Sequence, residues 1–297
     1  MDPIGQESTL NALSVDVEDY FHVEAFASCI PRGRWHTLES RVERNTGLIL
    51  ELFARHGITA TFYVLGWVAE RFPLLVRKIA DAGHEIGCHG NAHRRIRRQT
   101  PGEFREDIRT SRQRLLDQAG KPVACYRAPS FSIVESTLWA LDILAEEGFR
   151  IDSSIYPVRH DLYGMPDCPR FPHWRNGIFE FPLTTYRRGG VNLGVAGGGY
   201  LRLLPYSMTR WALRKINEQE RQPFIIYFHP WELDPDQPRI PAPLRSRLRH
   251  YTNLRGMQAK IERLLEDFRF STVTDVCNRL RDYSDRAGKA PEASLVG

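Results

Sequence analysis

Short apolar runs and amphipathic stretches take turns along most of the chain, the pattern of strands connected by helices. An apolar run over residues 10–17 predicts a first strand. Leu48 and Leu52 share one face of a helix predicted over 40–55 and ended by Gly57. A second strand is predicted over 58–65, a helix over 67–82 closed by Gly83, and a third strand over 85–88. Thr100 and Pro101 open a helix running to about 119, and a strand over 123–126, a helix over 136–147 and a strand over 149–151 follow. From 157 to 199 the alternation gives way to Pro, Gly and aromatic residues around one short strand at 178–181, a long excursion with a functional look. It resumes with a helix over 207–220, a strand over 224–228, a Pro-rich loop over 230–243, a helix over 257–267, a strand over 270–272 and a helix from Thr274.

Repeated strand and helix units predict an α/β fold with a parallel sheet closed or nearly closed into a barrel. The strand at 224–228 completes the sheet begun near Leu10, and no linker interrupts the chain. A single catalytic domain over 1–284 is expected, with 230–284 as a C-terminal extension completing it and 285–297 as a frayed tail.

Composition narrows the class. The 297 residues, 42% hydrophobic and 26% charged, exclude disorder, collagen and coiled coil. A net charge of +5 spread along the chain does not indicate bulk nucleic-acid binding. The one dense cluster, Arg94, Arg95, Arg97 and Arg98, reads as a solvated face. Five scattered cysteines do not form a disulfide framework and suit a reducing compartment. The first residues lack the basic end and apolar run of a signal peptide, and nowhere do enough apolar residues run together to span a membrane. A cytoplasmic location is therefore expected, with a partner able to recruit the chain to a membrane.

In a barrel, functional side chains project from the carboxyl ends of strands. Just past the predicted strands stand Asp16, Glu18, Asp19 and His22; His89 and His93; Arg127; Asp152; and His229. Two histidines four apart, on a helical turn, face the same way and can grip one divalent ion. Asp16 and Glu18 are two apart at a strand end, so alternation sends both to one face, where one ligates a metal and the other hydrogen-bonds a water on it. Asp19 falls on the opposite parity and reads as a solvated turn. Two histidines and one carboxylate leave an open position, which marks a catalytic rather than a structural metal.

These residues reach a family. Ser14 to Glu18, His89-Gly90-Asn91-Ala92-His93, Arg127-Ala128-Pro129-Ser130 and Ile226 to His229 resemble, in order, the motifs of the polysaccharide deacetylases, carbohydrate esterase family 4 with the NodB homology domain. The longer runs Val15 to His22 and Tyr227 to Asp234 resemble the subgroup associated with exosortase and exopolysaccharide loci. The resemblance implies a distorted (β/α) barrel with fewer strands than a TIM barrel. It implies Asp16 as catalytic base, Glu18, His89 and His93 as metal ligands, and Arg127 as the arginine orienting the base. It further implies His229 as catalytic acid, with Asp152 as its partner, and the Ser130 amide as oxyanion donor. Two departures stand out: Val17 occupies the place of the usual second Asp, which moves the third ligand to Glu18, and Ser130 replaces an aromatic residue. Zinc suits the ligand set, and cobalt, nickel or iron would fit.

Phe21, Tyr200 and Trp231 are candidates to bind sugar, and Glu180-Phe181-Pro182 and Gly197-Gly198-Gly199 to line a groove. The expected function is metal-dependent removal of N-acetyl groups from amino sugars of a polysaccharide or exopolysaccharide precursor, with an N-acetylated glycan as the partner. A cyclic amide or ureide hydrolase, allantoinase-like, shares the fold, and a non-catalytic glycan-binding protein is a third reading.

Overall fold

Strand β1 (Leu10–Val17) is buried from Asn11 onward, as a strand within a parallel sheet covered on both faces must be. The computed structural model describes residues 9–160 and 163–286. From β1 the chain runs through helix α1 (Val42–His56), β2 (Thr61–Val64), α2 (Gly66–Arg71), α3 (Pro73–Asp81) and β3 (Glu85–Cys88). Next come α4 (Pro101–Ala119), β4 (Cys125–Tyr126), α5 (Trp139–Glu146) and β5 (Ile151–Asp152). The excursion supplies an antiparallel pair, β6 (His173–Arg175) and β7 (Ile178–Glu180), then a hairpin, β8 (Thr185–Arg188) and β9 (Val191–Gly194). Helices α6 (Gly198–Leu203) and α7 (Tyr206–Glu218) precede β10 (Ile225–Phe228), and α8 (Leu244–Tyr251), α9 (Met257–Asp267), β11 (Arg269–Ser271) and α10 (Val273–Arg286) follow it.

Strands β10, β1, β2, β3, β4, β5 and β7 lie side by side in parallel, and β6 adds an antiparallel edge. β11 pairs with the start of β1, below β2. The sheet curls into a half-barrel whose side-by-side path, with β11 lying off it, has fewer parallel strands than the closed ring of a TIM barrel. Across the gap between β7 and β10, the Thr184 hydroxyl accepts from the Ile225 amide at 2.7 Å and donates to the Ile225 carbonyl at 2.8 Å.

Helix ends follow local chemistry. Thr100 and Glu103 form a reciprocal capping box with Pro101 in the first turn of α4, and Gly57 and Gly120 take left-handed conformations that close α1 and α4. The single helix expected over 67–82 is two helices. Pro73 cannot donate an N–H, and the residue before it, Phe72, leaves the helical region at φ −129° and ψ 62°. The expected tail over 285–297 lies outside the described residues from 287 onward, and α10 continues through Arg286.

Candidate active site at the strand ends

At the carboxyl end of β1 the chain turns tightly, the Glu18 amide bonding back to the Asp16 carbonyl at 2.9 Å. Asp16 and Glu18 both line a cavity of about 370 Å³ at the mouth of the half-barrel. After β3, His89 and His93 converge on Glu18, their Nε2 atoms 2.8 and 3.0 Å from its Oε1. They do so from a loop rather than the expected helical turn: Gly90 (φ 71°) and His93 (φ 48°) take left-handed conformations that fold the segment back. The Asn91 amide is pinned to the Asp107 carboxylate at 2.8 Å.

The polarity of this trio favours a cation. His89 Nδ1 lies 2.8 Å from the Arg127 carbonyl oxygen, which can only accept, so Nδ1 carries the proton. A neutral His89 then turns its Nε2 lone pair on a Glu18 carboxylate oxygen, and an imidazolium or a metal ion must resolve that repulsion. Burial alone would raise the Glu18 pKa, but the imidazoles of His93 and His89 hold it well below the usual carboxylate range. Glu18, His89 and His93 are the one group among the described residues with three ligand atoms close enough to share an ion, within 4.8 Å of one another.

Arg127, fully buried after β4, donates to Asp16 Oδ1 at 2.7 Å, to the Ser14 hydroxyl at 2.8 Å and to Ser153. Its guanidinium lies over the Tyr63 ring, 4.2 Å from the centroid. Gly87 makes room for that ring, since a Cβ there would come within 2.5 Å of it. One Asp16 oxygen is thus held, and the other stands 4.0 Å from His229 Nε2.

His229 is fixed from below by Glu232, which accepts from its backbone amide at 3.0 Å and lies 3.1 Å from its Nδ1. Glu232 in turn takes 2.7 Å from Arg202 Nε, and Arg202 also donates to the carbonyls of Arg249, His250 and Thr252. Burial would lower the His229 pKa, but the bond to Glu232 and the fields of Glu18, Glu232 and Asp16 raise it to about 9. Opposed by burial, Arg202 and His229 hold the Glu232 carboxyl down at about 2.

Several expectations need correction. Asp152 is not the partner of His229, because it is buried behind the loop after β4. There it accepts from the Ser154 hydroxyl at 2.5 Å, and Ser154 accepts from the Ala128 amide at 2.7 Å. Phe21 is buried against Tyr20, Trp35 and Trp67, and Glu180 and Phe181 are buried as well, so none of the three forms a wall of the cavity. Asp19 is not a solvated turn: it is buried and accepts from the Arg41 and Val42 amides and the Ser40 hydroxyl at the start of α1, while burial raises its pKa to about 6.

Ser130, Tyr200 and Trp231 do line the cavity. Ser130 has a left-handed backbone (φ 54°), and Trp231 is stacked between His229 and His250. Gly197 and Gly198 serve the protein's own side chains, since Cβ atoms there would strike Tyr227 and Glu232, whereas Gly199 is open. Arg95 also leaves the expected solvated face, being buried at the cavity wall and paired with Glu24 at 3.3 Å. All five cysteines are free. Sequence reading missed Glu232, Arg202, Tyr63, Ser14 and Ser153. Only Glu232 carried a signal, the i, i+3 spacing from His229 in a capping pattern.

The curled parallel half-barrel is the fold of the family 4 deacetylase structures. It superposes on a Mycobacterium smegmatis crystal structure assigned as a polysaccharide deacetylase, with TM-score 0.59 at 16% identity over 96% of this chain and 95% of that one. It also superposes on a family 4 pseudoenzyme from Bacillus anthracis, with TM-score 0.50 at 13% identity over 93% of this chain and 69% of that one. The family profile for polysaccharide deacetylase matches residues 34–149, and a domain of unknown function, DUF3473, matches 153–278. Over 98 residues the chain is 36% identical to the peptidoglycan-N-acetylglucosamine deacetylase of Bacillus cereus, 33% of this chain and 36% of that protein. It thus spans about a third of the length of curated relatives it matches. Over residues 34–149 the chain is thus similar to the polysaccharide deacetylases. The matched stretch holds His89, His93, Arg127 and Ser130; Asp16 and Glu18 precede it, and Arg202, His229 and Glu232 fall in the DUF3473 stretch.

Proposed function

We propose that the chain is a metal-dependent hydrolase that removes N-acetyl groups from amino sugars of a polysaccharide or exopolysaccharide precursor. The observation that carries this reading is the pairing of Asp16–Arg127 with His229–Glu232 across the Glu18, His89 and His93 cluster. The runs Val15 to His22 and Tyr227 to Asp234 support membership of the exosortase- and exopolysaccharide-associated subgroup. Glu18, His89 and His93 would hold a divalent ion, zinc being best suited to the donors, which would supply Lewis-acid chemistry at the site. Asp16, oriented by Arg127, is placed to take the proton from an attacking water. The Ser130 amide is the proposed donor to the developing oxyanion. His229, kept charged by Glu232, protonates the departing nitrogen, which cannot leave as an anion. Tyr200 and Trp231 are the proposed sugar-contacting walls.

Residues from before, within and after the matched deacetylase stretch meet in one cavity, which supports one catalytic unit over 1–284 rather than two domains. Five free cysteines favour a cytoplasmic site of action.

Acetate release from N-acetylglucosamine oligomers and from native exopolysaccharide, with and without chelator and beside Asp16→Asn, tests the reading. Chelator-sensitive release that the variant loses supports it. Opening of a cyclic amide without acetate release moves the chain to the ureide hydrolases, and no turnover of either makes it a glycan-binding protein.

A further inference from the structure

Helix α8 presents an unusual outer side. Leu244 and Leu248 are 67% and 58% exposed and lie one turn apart, so they form a single apolar strip. At 100° per residue Arg247 flanks that strip on one side and Arg245 and Arg249 on the other, and all three are exposed. Ser246 and His250 fall on the opposite, inward side, where His250 stacks on Trp231 and lies 2.7 Å from the Gln237 amide oxygen. The C-terminal end of α8 is fixed to the core by the three carbonyl bonds of Arg202. The strip adjoins the site: Leu203, 59% exposed, and Arg249 both line the rim of the catalytic cavity.

A soluble polyanion would satisfy the arginines and leave two leucines projecting into water. A purely apolar partner would strand the arginines. An anionic lipid surface satisfies both, with leucines entering the boundary between headgroups and acyl chains and arginines lying at the phosphates with their stems along the apolar strip.

We propose that α8 docks this protein on an anionic membrane surface, with the catalytic mouth beside the lipid headgroups. The docking does not depend on the chemistry of the site. If the deacetylase reading also holds, the arrangement favours glycans carried on a membrane lipid over free polymer.

Flotation of the full chain with vesicles tests the proposal, comparing phosphatidylcholine alone with equal parts phosphatidylcholine and phosphatidylglycerol. The expected result is partition onto the mixed vesicles only. The double variant Leu244→Ser/Leu248→Ser and the double variant Arg245→Gln/Arg247→Gln should each lower that partition about tenfold or more. Both should keep the wild-type circular dichroism and the wild-type rate on a soluble N-acetylated oligomer, so a failure of docking is separable from a failure of catalysis. No partition of the wild type, or partition undiminished by loss of the leucines, overturns the proposal. So does arginine-dependent retention on a soluble anionic glycan without vesicle binding, which would make α8 a polymer site.

Discussion

At the scale of single residues, the proposed roles of Asp16 as base and His229 as acid rest on the side chains that support them. Asp16→Asn should lower kcat by about a hundredfold or more while metal content stays unchanged, measured by acetate release and elemental analysis. His229 acts as an acid only while protonated. Its folded pKa of about 9 lies above the ordinary value, so its charged form persists below that and is lost as pH rises through it. Activity should therefore fall on the alkaline side near pH 9. Glu232→Gln should move that fall toward neutrality, because the variant removes the bond and field that hold the proton. A pH profile of kcat that does not shift in the variant would contradict the assignment. Asp152 and Glu180 behave differently: burial raises both carboxyl pKa values, and their interaction pushes Glu180 further up, well above the ordinary value, while lowering Asp152. Stability from protonated Glu180 is complete below the ordinary carboxylate range and is lost as pH rises through the folded value. Glu180→Gln should thus raise Tm relative to wild type at alkaline pH and change it little near pH 4, as thermal melts across pH would show.

At the scale of elements, much was legible where pattern and chemistry agree. β1, β3 and α9 lie where the periodicity puts them, because a buried parallel strand is a continuous apolar run and α9 has one clear apolar face. α6 and α8 were not legible. The first begins in three glycines, and the second is an arginine-rich helix that buries only His250. His89 and His93 do meet at Glu18, but not on the expected helical turn: their spacing works through left-handed Gly90 and His93, which no helical periodicity encodes. His229's partner was misassigned because a strand-end acid distant in sequence looked better placed than the glutamate three residues on. α6 also explains a constraint. Gly198 packs against the Glu232 carboxylate, where a Cβ would come within 1.8 Å. Gly198→Ala should displace Glu232 and shift the pH profile in the same direction as Glu232→Gln, whereas Gly199→Ala, with open space around it, should leave the profile unchanged.

At the scale of the whole molecule, the curled sheet gathers side chains from β1, β3, β4 and β10 at one mouth, and each arrives with its own buried support. Arg127 is the hinge of this arrangement, since it holds Asp16, and its carbonyl sets the tautomer of His89. Arg127→Leu would leave Asp16 as an unpaired buried carboxylate and should cost about 3–5 kcal/mol in stability by denaturant unfolding. The DUF3473 stretch is integral to the site, because β10 and the Arg202, Glu232 and His229 chain all lie within it.

The most direct test is the stoichiometry of a divalent ion. After chelation and reloading with zinc, elemental analysis of the wild type should find one tightly held ion per chain, and the double variant His89→Ala/His93→Ala should hold none. A wild type that takes up no ion under any loading condition, or a double variant that binds as the wild type does, would contradict a metal centre at Glu18, His89 and His93.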